Sequence, residues 1–235
     1  MSETWFLRCA GAVGLALIFF PGIDLGFSRL FFMPGFTDPS RSFIWRGLPL
    51  VDKIHEAVVS GSFSLAALFG AGLLCAAAMR RPILGLGTMQ WLFLATALAV
   101  GPGLMVNTVF KENWERARPV QIEEFGGRAR FAPPLVVSHQ CHHNCSFVSG
   151  EASFGFFLSV FAYIAKRRQR AIFVAGMAAG LLIGLMRIGQ GAHFLSDVLY
   201  AGAFTVATNA ATHAAFYGRN ATATWWRTHI SLAPQ

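Results

Sequence analysis

The sequence predicts an all-α integral-membrane bundle of six transmembrane helices, with residues 1–235 forming one domain. Three observations carry that prediction. Only 13% of the residues are charged, about half the share of a soluble domain. The mean hydropathy is +0.51. Apolar stretches of about 20 residues, long enough to cross a hydrocarbon core, alternate with polar connections along the chain.

In order, the expected spans are Trp5–Phe20, Val58–Met79, Ile83–Val109, Ser149–Ala165, Ala171–Met186 and Phe194–Phe216. The first has the length of a signal peptide. Its head carries Glu3 beside Arg8 and no A-x-A site follows, so it is read as a transmembrane helix. The tail begins near residue 218.

The formal net charge is +8. Apolar spans break the positive charge into pieces, which argues against nucleic acid and for an anionic membrane surface or an acidic substrate. No repeat or low-complexity segment is present.

Six spans leave five connections. Two are long and polar, about Pro21–Ala57 and about Phe110–Val148. Two are short and basic, Arg80 to Arg81 and Lys166 to Arg170. The last, Arg187–His193, is short and contains glycine. Short basic connections favour the cytoplasm, which puts both termini inside and both long loops outside. The long loops hold four and five Lys or Arg, a positive charge that an anionic substrate would explain. Under either orientation the third and fifth connections share one side.

Those two connections carry the chemistry. In the third, Lys111 and Arg118 are seven apart, two helical turns, so on a helix they face the same way. Pro119 is expected to end that helix. Two cations at a membrane surface can clamp a phosphate, the Arg bidentately. Ser149 and Gly150 fall at the start of the fourth span, where free amides and the helix dipole favour an anion. In the fifth connection, His193 and Asp197 are four apart on one helical face, where a carboxylate can fix the imidazole. Arg187 lies just before them. The plainer alternatives are a basic juxtamembrane helix, an ordinary serine N-cap and a structural His–Asp pair.

The order and spacing of these pieces resemble the type 2 phosphatidic acid phosphatase (PAP2) superfamily, whose signature is K-x6-RP, then PSGH, then SR-x5-H-x3-D. Lys111, Arg118 and Pro119 match the first motif. Val148, Ser149, Gly150 and Glu151 stand for the second, and Met186, Arg187, His193 and Asp197 for the third. The resemblance implies metal-independent phosphoryl transfer without a cofactor. His193 would attack phosphorus and form a phosphohistidine, and Asp197 would orient and polarise it. Lys111, Arg118, Arg187 and the amides near Ser149 and Gly150 would hold the phosphoryl oxygens. Phosphoryl transfer is mostly positioning and charge stabilisation, so the residue chemistry and the resemblance agree.

Three positions depart from the signature. Val148 replaces Pro and Met186 replaces Ser. Glu151 replaces the histidine that, in the family, is thought to protonate the leaving oxygen. Burial favours a protonated Glu151 and nearby cations favour the ionised form. Glu151 is therefore either a substituted general acid or a group that binds a substrate hydroxyl or amine.

Competing expectations are a metal-dependent hydrolase, a non-catalytic lipid binder and a transporter. The run His139, Cys141, His142, His143 and Cys145 has ligand types for zinc or copper. In an oxidising compartment Cys141 and Cys145 would instead form a disulfide. A transporter would want polar groups through the midplane, whereas the charges here cluster at one face. In the first long connection, Arg29, Arg41, Arg46 and Lys53 are expected to cap the site. Phe31, Phe32, Phe36, Phe43 and Trp45 are expected to anchor it at the interface. Among substrates of bacterial members, lipid A is favoured over undecaprenyl diphosphate, phosphatidylglycerol phosphate and phosphatidic acid. The expected partners are the lipid phosphate and bilayer lipids, not nucleic acid; oligomeric state stays open.

Overall fold

The computed structural model describes residues 12–36 and 41–230. Its helices are α1 (Ala12–Phe19), α2 (Gly22–Arg29), α3 (Pro49–Met79), α4 (Thr88–Asn113), α5 (Gly150–Ile164), α6 (Gln169–Gly189), α7 (Leu195–Tyr217) and α8 (Arg219–His229). The chain is all-α, as expected. The first expected span lies partly outside the described residues, and what is described of it bends by 87° into α2. Pro21 marks the break, since proline excludes the helical region for the residue before it.

Among the described residues, three helices are long and apolar enough to cross a membrane, or four if the bent pair is one span. The count of six is thus not met by length and apolarity. The reason lies in two elements: α5 is a shorter apolar helix, and α7 is diluted by Asp197, Asn209 and His213, all buried in the bundle. The outer surface supports a lipid environment. Phe63, Leu74 and Leu182 are 72%, 71% and 67% exposed, which water would penalise and acyl chains would not.

Helix α3 starts nine residues before the expected span. Pro49 takes its first turn, where the missing N–H is harmless and φ is already helical. The polar Asp52–Glu56 stretch is therefore helical. In α4, Pro102 lies inside a π-helical stretch, Ala99–Phe110. A proline cannot donate into the ladder, and the wider turn accommodates it.

The centre is α5, packed between α6 and α7. Small residues allow that approach: a Cβ at Gly155 would stand 2.7 Å from the Gly180 Cα, and one at Gly184 would strike Val198. This is the packing by small residues that membrane helices use in place of a hydrophobic drive. Phe147, Val148, Phe156 and Val198 fill the space beneath the site.

The first long connection folds over the turn after α6. Trp45 N donates to Gly189 O at 3.1 Å. The Trp45 ring covers Gly189, and Phe43 covers Gly191, where a Cβ would lie 2.5 Å from Phe43 Cδ2. Phe43 is 1% exposed and packs with Ile122, Phe125 and Phe194. Phe43 and Trp45 are thus lid and core residues rather than interfacial anchors, because the two glycines leave slots for their rings.

Candidate active site

After α6, Gly191 adopts φ +66°, a conformation glycine takes freely. That turn brings His193 in ahead of α7. His193 is fully buried, with Nδ1 2.7 Å from the Ser146 carbonyl oxygen. A carbonyl only accepts, so Nδ1 carries the hydrogen and Nε2 keeps its lone pair. Asp197 lies 3.8 Å from Nδ1, beyond hydrogen-bond range. Direct orientation of His193 by Asp197 is therefore replaced by Ser146, whose hydroxyl donates to Asp197 Oδ2 at 2.5 Å. Asp197 also accepts from Phe194 N at 2.8 Å and Arg116 Nη1 at 2.5 Å. The carboxylate sets the loop that sets the ring.

The cations reach the site by separate routes. Lys111 and Arg118 do not share a helix: α4 stops at Asn113, Glu115 has φ +48° and Arg118 is extended. The physical cause is Arg116, whose side chain is pulled into a fully buried cluster with Asp24 and Asp197. Lys111 instead comes from the end of α4, its Nζ 3.6 Å from where a Gly150 Cβ would be. Arg118 donates through Nε and Nη2 to the Asn144 carbonyl at 3.0 and 2.6 Å. Burial, then the neighbouring Arg187, pulls the Arg118 guanidinium below its ordinary pKa, though a guanidinium stays a cation. Arg187, in the last turn of α6, donates through Nη1 to Gln190 Oε1 at 2.6 Å.

Glu151 stands among these groups. Its Oε1 is 3.4 Å from Arg187 Nη2 and 3.6 Å from His55 Nδ1, and its Oε2 is 3.4 Å from His193 Nε2. Arg187 Nε, His193 Nε2, Glu151 Oε2 and His55 Nδ1 are buried and make no hydrogen bond among the described residues. Buried polar atoms are seldom orphaned, and four in one place mark a binding site for a polar group. Ser149 stands at the start of α5, where its hydroxyl accepts from Ala152 N at 3.3 Å and its amide donates to Asp197 O at 3.2 Å. The amides of Gly150 and Glu151, in the first turn of α5, have no intrahelical acceptor.

A polar cavity of about 700 Å³ opens beside the cluster, lined by Arg41, Arg46, Asp52, His55, Arg118 and Arg187 among others. A second, of about 550 Å³, runs between α3 and α4 past Val59, Phe63, Pro102 and Phe154 to Lys111 and Glu151. Glu151 lines the apolar chamber and stands 3.4 Å from Arg187 and 3.6 Å from His55, which line the cationic one.

Cys141 and Cys145 are joined by a disulfide, which removes both thiolates as metal ligands. His139 pairs with Glu115 at the surface. The disulfide loop contains Asn144, the residue that holds Arg118. Replacing both cysteines by serine should therefore free Arg118 and lower kcat/KM by roughly 10- to 100-fold, the worth of a hydrogen bond to a charged group. Parallel kinetics on Arg118→Ala check the link: the two effects should not add. Full additivity would detach the disulfide from Arg118.

Sequence reasoning missed His55, Asp24, Arg116, Ser146 and Gln190. Asp52 and His55, three apart just before an apolar run, were a readable helical signal. The other four form no period.

Residues 90–221 match the PAP2 superfamily. The chain is 47% identical over 127 residues to a protein of Francisella tularensis subsp. novicida named lipid A 4'-phosphatase, covering 53% of this chain and 57% of that one. The chain thus spans little more than half the length of that relative. Proteins of the same name from Rhizobium leguminosarum and Rhizobium etli are 33% and 34% identical. Those alignments cover 77% and 76% of this chain, and 81% and 73% of the relatives. No solved structure matches the chain.

Proposed function

The chain belongs to the PAP2 superfamily, and from that premise we propose that it is a membrane phosphatase that hydrolyses a phosphate monoester of lipid A through a phosphohistidine at His193. One observation carries the reading. The His193 Nδ1 hydrogen is committed to Ser146 O at 2.7 Å, which leaves Nε2 as a bare nucleophile among Arg187, Arg118 and Lys111. The cations would neutralise the phosphoryl oxygens as N–P bonding develops. Ser146 and Asp197 would hold the ring, the former directly and the latter through the former.

The lipid part of the reading draws on the two chambers. A phosphate in the cationic cavity and acyl chains along the apolar groove would meet at Glu151. The three relatives named lipid A 4'-phosphatase favour lipid A, and its 4'-phosphate, over the other lipids. We take the chain to cross a bacterial inner membrane six times, with the site in the periplasm and both termini in the cytoplasm. The dense basic connections at Arg80–Arg81 and Lys166–Arg170 support that orientation.

Phosphate release from lipid A, undecaprenyl diphosphate, phosphatidylglycerol phosphate and phosphatidic acid, run with and without a chelator, tests the reading. Lipid A should be hydrolysed fastest, at the same rate in chelator, with mass spectrometry locating the loss at the 4' position. Faster hydrolysis of another lipid would overturn the substrate, and a loss in chelator restored by zinc would overturn the mechanism.

A further inference from the structure

The geometry points to His55 of α3 as the acid that protonates the leaving oxygen. His55 lies outside residues 90–221, which match the family. The inference rests on the phosphohistidine reading above and names a residue that reading does not use.

In-line transfer fixes where a proton is needed. A phosphorus ready for attack stands about 3–3.5 Å from the nucleophile, and the leaving oxygen lies on its far side. Glu151 Oε2, 3.4 Å from His193 Nε2, holds that position. A bound phosphoryl group must therefore turn the Glu151 carboxylate away from His193. Its other oxygen already lies 3.6 Å from His55 Nδ1, so the turn brings carboxylate and imidazole together. Glu151 then accepts the Nδ1 hydrogen and fixes the ring, leaving the second ring nitrogen to face the cavity that His55 lines with Arg118 and Arg187.

The other charged groups there suit different tasks. Arg118, Arg187 and Lys111 offer N–H donors to phosphoryl oxygens, the two arginines as planar forks. Asp52 accepts from Gln190 Nε2 at 3.2 Å, so it braces the Arg187–Gln190 pair. An imidazole is the side chain whose ordinary range suits proton transfer near neutrality.

The two steps balance. The His193 Nε2 lone pair forms the N–P bond, the P–O bond breaks toward the leaving oxygen, and that oxygen takes the proton of the His55 imidazolium. Water then attacks the phosphohistidine and gives a proton to neutral His55. The N–P electron pair returns to Nε2, inorganic phosphate leaves, and His55 is protonated again.

The test is a series of long-chain phosphate monoesters with alkyl, sugar, phenyl and nitrophenyl leaving groups. The quantity read is kcat/KM, which reports transfer to His193 and not the later hydrolysis; for the unaltered protein it should depend weakly on leaving-group acidity. His55→Gln should lose roughly 10²–10⁴-fold on the alkyl and sugar esters but less than tenfold on the nitrophenyl ester, whose phenolate departs unprotonated. The steepened slope is a ratio within one preparation, so a lower folded fraction does not produce it, and His55→Asn should repeat it. Equal losses across the series, or no loss, would overturn the proposal. Glu151→Gln keeps an oxygen to accept from His55 and should keep the shallow slope; a steep one would make Glu151 the acid. His193→Ala retaining turnover on any ester would instead sink the phosphohistidine reading, whatever His55 does.

Discussion

His193→Ala is expected to abolish phosphate release from every substrate, by roughly 10⁴-fold or more, the scale seen when a nucleophile is removed from a concerted site. The expectation follows from commitment of the ring's two nitrogens. Nδ1 gives its hydrogen to Ser146 O at 2.7 Å, and Nε2 makes no hydrogen bond among the described residues. A group that only supported the fold would use both. The structural loss should be modest: one carbonyl loses its donor, about 1–3 kcal/mol. Retention times in detergent and thermal unfolding should therefore stay near those of the parent. Labelled phosphate should be trapped on the parent by an alkaline denaturing quench, because the N–P bond is labile in acid, and be absent from the variant. Turnover by the variant at a tenth of the parental rate or more would remove His193 as nucleophile.

The third motif was legible because it is local. His193 and Asp197 are four residues apart and readable as a spacing, whereas the link between them through Ser146, 47 and 51 positions away, is not. The spacing of Lys111 and Arg118 was equally readable, yet the helix inferred from it is absent. A sequence shows that seven residues separate two cations; it does not show that Arg116 between them will be drawn to carboxylates 92 and 81 positions away. Long-range ion pairs carry no period. The same holds for the residues before position 90. Asp24, Trp45 and His55 meet the site through α2, the first long connection and the start of α3. Polar residues there interrupt the apolar run and made α3 look nine residues shorter than it is. Phe43 and Trp45 were read as membrane anchors because aromatic residues near a bilayer usually are. Their true surroundings depended on two glycines some 145 positions later. Burial of that kind is decided by packing, not by composition.

Arg116 is expected to be the most destabilising single replacement in the protein. It has no exposed side-chain surface and pairs with Asp24 Oδ2 at 2.9 Å and Asp197 Oδ1 at 2.5 Å. Its guanidinium also donates to Ala132 O and Ser196 Oγ, each at 2.8 Å, and lies 4.3 Å from the Phe194 ring. Arg116→Met keeps much of the volume but strands two buried carboxylates, and breaking a buried pair by removing one partner costs about 3–5 kcal/mol. Arg116→Lys should fall short of the parent as well, because an ammonium lacks the planar fork that spans both carboxylates. The companion variant separates charge from packing. Adding Asp24→Asn to Arg116→Met removes one stranded charge and should recover part of the stability, while leaving Asp197 unpaired. Activity should not recover with it. Asp197 holds Ser146, Ser146 holds His193, and displacing a nucleophile by about 1 Å costs around 10²-fold. Thermal unfolding should therefore improve in the double variant while kcat stays down and KM changes little. Joint recovery of both would mean that Arg116 serves the fold alone; parental stability in Arg116→Met would mean that the buried cluster contributes nothing to either.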